Sequence, residues 1–336
     1  MRRIFTLTAL AAALSCSTSI SAMAADKLQV VASFSIIADL ARNVGGERID
    51  LTTLVGPDGD AHVYEPRPQD AAVTAQADIV LVNGLQFEGF LQRLVEASGT
   101  KAKIVELSKG VETLKLEEHG EHEGETHDHA HEESDHHDEH RADEAGHDHD
   151  EAHEDHHHHG EYDPHAWQSV ENAEIYVRNI TEALCAADDA GCNAYKANAD
   201  AYLARLETLD ADIRAAVEAI PEARRTIITS HDAFGYFEHA YGIRFLAPEG
   251  VSTESEASAA DVAALIRQVR EDQASAIFVE NVTNPRLIEQ IAGETGLELG
   301  GSLYSDALSD TNGPAATYIE MMKHNITTIA GAISGS

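Results

Sequence analysis

The chain has 336 residues, 59 of them Asp or Glu against 23 Lys or Arg, for a formal net charge of −36. Such acidity repels nucleic acid and anionic lipid, which excludes phosphate binding as the main activity and favours a cation as ligand. The length suits two domains, 43% apolar residues can build real cores, and three cysteines are too few for a disulfide scaffold or a four-cysteine zinc module.

The amino terminus reads as an address. Arg2 and Arg3 precede an apolar run over 4–14, and Ala22-Met23-Ala24 is a small-residue cleavage site. This is the pattern of a cleavable secretory signal over 1–24, too short for a membrane span. The mature chain is expected to start at Ala25 in the periplasm. Leu14-Ser15-Cys16 is a poor lipobox and the weaker alternative.

Beyond it, strands and helices alternate. Strands are predicted at 27–34, 49–55, 78–82 and 103–106, with helices at 35–45, 68–76 and 87–97. That alternation describes a parallel α/β sheet with helices on its faces. Residues 117–161 break the pattern: they hold 15 of the 20 histidines and 19 acidic residues with almost nothing apolar. Such a segment cannot offset its ordering entropy by burial and is expected to be a disordered loop. Helical spacing runs over 169–220 with a break at Gly191, and the piece after it is long enough, ~42 Å for ~28 residues, to cross a whole domain. Strands at 225–230, 243–247, 275–280 and 297–300 follow, with helices at 258–271, 285–295 and 314–333. The expected architecture is two α/β lobes, 25–190 and 221–336, each with a central parallel sheet flanked by helices, joined by one long rigid backbone helix over 191–220.

Cys185 and Cys192 remain after export, in a compartment where a bridge is expected. In one continuous helix they would sit ~10.5 Å apart along the axis. A disulfide needs Cα atoms within ~7 Å, so the helix must break between them. Asp188-Asp189-Ala190-Gly191 supplies two poor helix formers and a glycine suited to a helix C-cap. The pair reads as a structural staple.

Five histidines lie outside the histidine-rich segment: His62, His165, His231, His239 and His324. His62 follows the second strand, and His231 ends the first strand of the second lobe. His165 sits where the chain returns to helix. Ligands of α/β sheets bind beyond the carboxyl ends of strands, so a cleft between lobes would gather these three. Asp306, after the last strand, is a fourth candidate. Three imidazoles and a carboxylate suit zinc. His239 and His324 fall within helices and are read as ordinary surface or core residues. Asp60 and Glu65 are spare carboxylates suited to orienting an imidazole. A formal H-E-x-x-H, His153-Glu154-Asp155-His156-His157, needs a stable helix to act as a zinc hydrolase motif, but it lies in the low-complexity tract, where chance matches are cheap.

Gly56-Pro57 through His62-Val63-Tyr64-Glu65-Pro66, Asp163-Pro164-His165-Ala166-Trp167, His231-Asp232-Ala233-Phe234-Gly235-Tyr236-Phe237 and Tyr304-Ser305-Asp306 together resemble one family. It is the zinc-binding branch of the cluster A solute-binding proteins of ABC transporters, over essentially all of the mature chain. The resemblance implies metal ligands at His62, His165, His231 and Asp306. It also implies two lobes bridged by a long helix, and a His- and acid-rich loop between the first two ligands. The manganese branch usually has Glu where His231 stands, and harder oxygen ligands suit that metal. The expected function is a monomeric periplasmic receptor, not an enzyme, that captures Zn2+ between its lobes. It would deliver the ion to a membrane permease and, through it, an ATPase, with the histidine-rich loop assisting capture or sensing. A receptor for manganese or another divalent metal, or a periplasmic zinc chaperone, is the alternative.

Overall fold

The computed structural model describes residues 27–116, 161–255 and 257–335. The expected signal at 1–24, Cys16, the formal hydrolase motif and the histidine-rich segment up to residue 160 lie outside the described residues. Glu161, expected within that segment, is instead part of a closing bridge. Its carbonyl accepts from the Leu116 amide at 3.1 Å, its carboxylate meets Lys115 at 2.9 Å, and Lys115 pairs antiparallel with Tyr162.

The first half forms β1 (Leu28–Phe34), α1 (Ser35–Gly45), β2 (Ile49–Val55), α2 (Pro68–Gln76), β3 (Ile79–Val82), α3 (Leu91–Ser98) and β4 (Lys103–Glu106). Its four strands are parallel in the order β2-β1-β3-β4. All four residues of β3 are buried, as expected of an inner strand covered on both faces. Pro68 opens α2 because its fixed φ suits the first turn and its missing N–H would have had no partner there. Helix α3 begins later than the expected residue 87. Residues 83–90 form a turn around the buried Glu88 carboxylate, which accepts from the Asn83 amide at 2.6 Å, the Gly84 amide at 3.3 Å and the Ser33 hydroxyl at 2.7 Å.

Two helices then cross the molecule, α4 (Val170–Ala187) and α5 (Cys192–Glu218). Cys185 and Cys192 form a disulfide, with Cα atoms 4.4 Å apart, across the break between them. Asp188 organises that break: it accepts from the Gly191 amide at 3.0 Å, Arg48 at 2.8 Å and the Tyr195 hydroxyl at 2.8 Å. Gly191 is not the left-handed C-cap expected from sequence. Its φ is −86°, within the right-handed range, and it precedes α5. Glycine is needed for another reason: a Cβ there would collide with the Asp188 carboxylate and the Arg48 guanidinium.

The second half forms β5 (Thr226–Ile228), α6 (Gly235–Tyr241), β6 (Arg244–Leu246), α7 (Ala259–Glu271), β7 (Ala276–Glu280), α8 (Arg286–Thr295), β8 (Leu299–Leu303) and α9 (Tyr318–Gly335). Its strands are parallel in the order β6-β5-β7-β8, the same permutation as the first sheet. Strand β5 stops short of residue 230 because the Ser230 and His231 amides turn to the Glu280 carboxylate, at 2.7 and 3.0 Å.

The 27-residue α5 presents one apolar stripe, Tyr195, Ala199, Tyr202, Leu206, Leu209, Ile213 and Val217, at helical spacing. It spans about 40 Å at 1.5 Å per residue. The stripe belongs to one core that runs from β1 and α1 through α4 and α5 to α9 and one face of the second sheet, including Ile227, Phe278 and Leu303. A smaller core under α7 and α8, around Ile228, Leu265, Ile277 and Ile291, covers the other face. Among the described residues no helix is long and apolar enough to cross a membrane.

Candidate metal centre

In a parallel sheet whose order reverses, ligands collect beyond the strand ends at the reversal. In the second sheet that point lies between β5 and β7. His231, three residues past β5, and Glu280, the last residue of β7, meet there, with His231 Nδ1 2.7 Å from Glu280 Oε2. Asp306 arrives from the segment after β8. His62 ends the loop after β2, and His165 precedes the turn into α4.

The structure brings all four sequence-predicted ligands together. One ligand atom from each of His62, His165, His231 and Asp306 lies within 4.8 Å of the others. Asp306 Oδ2 is 3.3 Å from His62 Nε2 and 3.2 Å from His231 Nε2, and Oδ1 is 3.6 Å from His165 Nε2. The Nε2 atoms of His62 and His165 are 3.3 Å apart. His165, His231 and Asp306 have no exposed surface, and His62 keeps 7%. Among the described residues neither Asp306 oxygen has a hydrogen-bond donor in good geometry, although both are buried. A carboxylate desolvated in this way needs a positive charge to face it.

The imidazoles supply part of that charge. Burial alone would push the His231 pKa down, but the Glu280 and Asp306 carboxylates outweigh it and hold it well above the ordinary imidazole value. Burial pushes Asp306 up, and the opposing charges of His231 and His165 more than reverse this, leaving it well below the usual carboxylate range.

Two carboxylates that orient the ring nitrogens were missed in the sequence. Asp163 Oδ1 meets His165 Nδ1 at 2.8 Å and also accepts the His165 amide at 2.9 Å. Glu280 stands behind His231 Nδ1. Both leave Nε2 directed at the common centre. Asp163 had a signal, since it lies two residues before His165 in the motif already singled out. Glu280 had only its place at a strand end, 49 residues from its partner. The expected orienting role of Asp60 and Glu65 is not observed. Asp60 Oδ1 accepts the His62 backbone amide at 2.9 Å, not its ring, and Glu65 lines the opening outside the site. The His62 ring is set by packing, edge-on to Phe87 with centroids 4.7 Å apart.

The halves of the site are tied together beside His165. Trp167 Nε1 and Gln168 Nε2 donate to the Ser305 carbonyl at 2.9 and 2.7 Å, next to Asp306. The Asn83 amide group donates to the Pro164 carbonyl at 2.8 Å. His239 is exposed on α6, and His324 Nε2 contacts the Ser302 carbonyl at 2.9 Å, so neither enters the site, as read from the sequence.

The family described as zinc-uptake complex component A, periplasmic, matches residues 30–332. This chain belongs to that family. A manganese-binding lipoprotein, MntA, of Halalkalibacterium halodurans is 33% identical over 307 residues, covering 91% of this chain and 89% of that protein. The iron ABC transporter substrate-binding lipoprotein MtsA of Streptococcus pyogenes is 30% identical over 324 residues, 95% of this chain and 93% of that protein. The solved periplasmic zinc-binding protein TroA from Treponema pallidum superposes with a TM-score of 0.76 at 29% identity, covering 91% of this chain and 99% of that one. The two parallel sheets and the long central helix are the shared fold. The chain is a divalent-metal receptor of an ABC importer and not an enzyme. Such receptors work with a permease and its ATPase. The names of its relatives divide among manganese, iron and zinc, so family membership does not choose the metal. None of these relatives is named as a chaperone, and that alternative is without support.

Proposed function

We propose that the chain is a monomeric periplasmic zinc receptor. It takes Zn2+ on His62, His165, His231 and Asp306 and hands it to the permease of an ABC importer. The observation that carries this reading is the buried cluster of three imidazole nitrogens around a carboxylate that has no other hydrogen-bond donor among the described residues. The four ligand atoms lie within 4.8 Å of one another, with Asp306 oxygens 3.2 to 3.6 Å from the three imidazoles, so they surround one common point. The donor types favour zinc: imidazole suits it, while manganese favours oxygen. A closed set of four protein ligands also leaves no position for an activated water, as a transport site requires.

Export by residues 1–24 with cleavage after Ala24 puts the receptor in the periplasm. The histidine-rich segment assists capture, since imidazoles at that density bind divalent ions. The names of MntA and MtsA favour a second reading, a receptor for manganese or iron on the same four residues.

The test is chelator competition on mature protein lacking 117–161, with Zn2+ and Mn2+ in parallel and His231→Ala beside the parent. One tight Zn2+ site per chain, weak Mn2+ binding and collapse in His231→Ala are expected. Tighter Mn2+ than Zn2+ would establish the second reading. No tight site without the histidine-rich segment would place capture in that segment and reject the four-residue ligand set.

A further inference from the structure

Of the four residues in the cluster, only His62 reaches the outside. It lines a cavity of about 550 Å³ that opens beside the site. His62, Glu65 and Phe87 form one wall of the opening, and Val251, Ser252 and Glu254, from the segment between β6 and α7, form the other. His62 also rides on the loop 56–62 after β2, its ring packed edge-on against Phe87 of its own half.

That loop is held from the other half of the molecule at three points. The Asp58 amide donates to the Leu308 carbonyl at 2.9 Å, and Asn281 Nδ2 donates to Asp58 Oδ1 at 3.0 Å. The Thr253 hydroxyl donates to Asp60 Oδ2 at 2.7 Å, across 193 residues of sequence. Asp60 uses its other oxygen to accept the His62 amide. One carboxylate therefore links the His62 backbone to the opposite wall of the opening. Asp58 adopts a φ of 52° as the third residue of a local turn that follows Pro57 and is closed by the Gly59 amide on the Gly56 carbonyl at 3.2 Å.

We infer that Asp60 and Thr253 form a clasp that seats His62 and sets how fast the bound metal leaves. The inference rests on the receptor reading above. The clasp touches no ligand ring and closes the only ligand bordering the opening. Release of Thr253 unpins the Asp60 end of the loop, next to His62, while Asp58 stays held, and the metal then loses one ligand while His165, His231 and Asp306 stay in place. Thr253 and Asp60 are thus positioning residues for retention, separate from the residues that bind.

The experiment is stopped-flow dissociation of Zn2+ into excess chromophoric chelator, with association followed separately, for the full mature chain and for Thr253→Val, Thr253→Ser and Asn281→Ala. Thermal midpoints of the metal-free proteins are measured alongside. Thr253→Val, which keeps the shape and removes the hydroxyl, is expected to release Zn2+ about tenfold faster, the equivalent of one hydrogen bond to a charged group. Its association rate and metal-free midpoint should stay at the parent values. Thr253→Ser should restore slow release, and Asn281→Ala should speed release by a smaller factor. Release within twofold of the parent in both Thr253→Val and Asn281→Ala overturns the clasp. So does faster release accompanied by a lowered metal-free midpoint, which would make Thr253 a folding contact. A parent protein that binds no Zn2+ would instead overturn the receptor reading, a result separate from either of these.

Discussion

The two sides of the metal centre are built to different standards. His165, His231 and Asp306 sit at strand and helix ends in the interior, with Asp163 and Glu280 behind two of the rings and Trp167 and Gln168 gripping the chain next to Asp306. His62 sits on a loop at the opening, its ring held by packing and its backbone by hydrogen bonds reaching across the molecule. On the receptor reading proposed above, the contrast makes capture and retention separable: three residues would form a fixed seat, and the fourth a cover whose position is tuned from the facing half.

The largest expected effect separates the two sides directly. A four-ligand zinc site worth about 10–16 kcal/mol assigns ~3–4 kcal/mol to each ligand, several hundredfold in affinity. His231→Ala should lose at least that much, because it also leaves Glu280 and Asp306 buried without their partner. His62→Ala should lose distinctly less, because water from the opening can fill the fourth position. Equal losses in chelator competition would break the comparison.

Glu280→Gln sharpens it. The side chain keeps an oxygen for the Ser230 and His231 amides but no longer charges the contact with His231. Affinity should drop roughly 10–100-fold, the usual consequence of losing a carboxylate behind a ligating imidazole. The drop should shrink at low pH, since His231 then gives up its proton more easily.

The pH dependence follows from the raised pKa of His231. In the metal-free protein it holds a proton at neutral pH, so metal binding must release it, and affinity should rise with pH by up to about tenfold per unit. The stability terms have opposite signs. The pKa of His231 is raised by folding, so its contribution is complete below the ordinary value of about 6.5 and is lost as pH climbs through the raised one. Asp306 is depressed by folding, so its contribution is present above about 3.9 and lost only as pH falls toward its folded value. The gain in thermal midpoint on adding Zn2+ should therefore be larger at pH 8 than at pH 6. A gain that is flat across that range would show that His231 binds without losing a proton.

The smallest effect on binding belongs to the far end of the molecule. Gly191→Ala should lower the thermal midpoint by several degrees, because its Cβ overpacks against Asp188 and Arg48, and should leave Zn2+ affinity unchanged. A change in affinity would mean that the break beside the disulfide is coupled to the seat.

Much of this was legible in the residues themselves. Apolar runs bounded by Gly and Pro marked the strands, a 3.6-residue stripe marked α5, and the short spacing of Cys185 and Cys192 demanded the break that Asp188 organises. His62, His165, His231 and Asp306 stood out because each follows a predicted strand or precedes a predicted helix, near the strand ends beyond which α/β sheets bind ligands. The orienting groups were less legible. Asp60 and Glu65 are near His62 in sequence and were expected behind an imidazole. That role belongs to Asp163, two residues from its ring, and to Glu280, brought to His231 only by the β5–β7 pairing.

Local sequence determined what the chain could form alone: helices, strands, their order and the donor atoms available for a metal. The tertiary structure decided which donors meet. Hydrogen bonds such as Ser230 to Glu280, Trp167 to Ser305 and Thr253 to Asp60 join residues from 50 to 193 positions apart. No local pattern encodes such pairings, because they arise when burying the shared core along α5 and α9 fixes two sheets against each other.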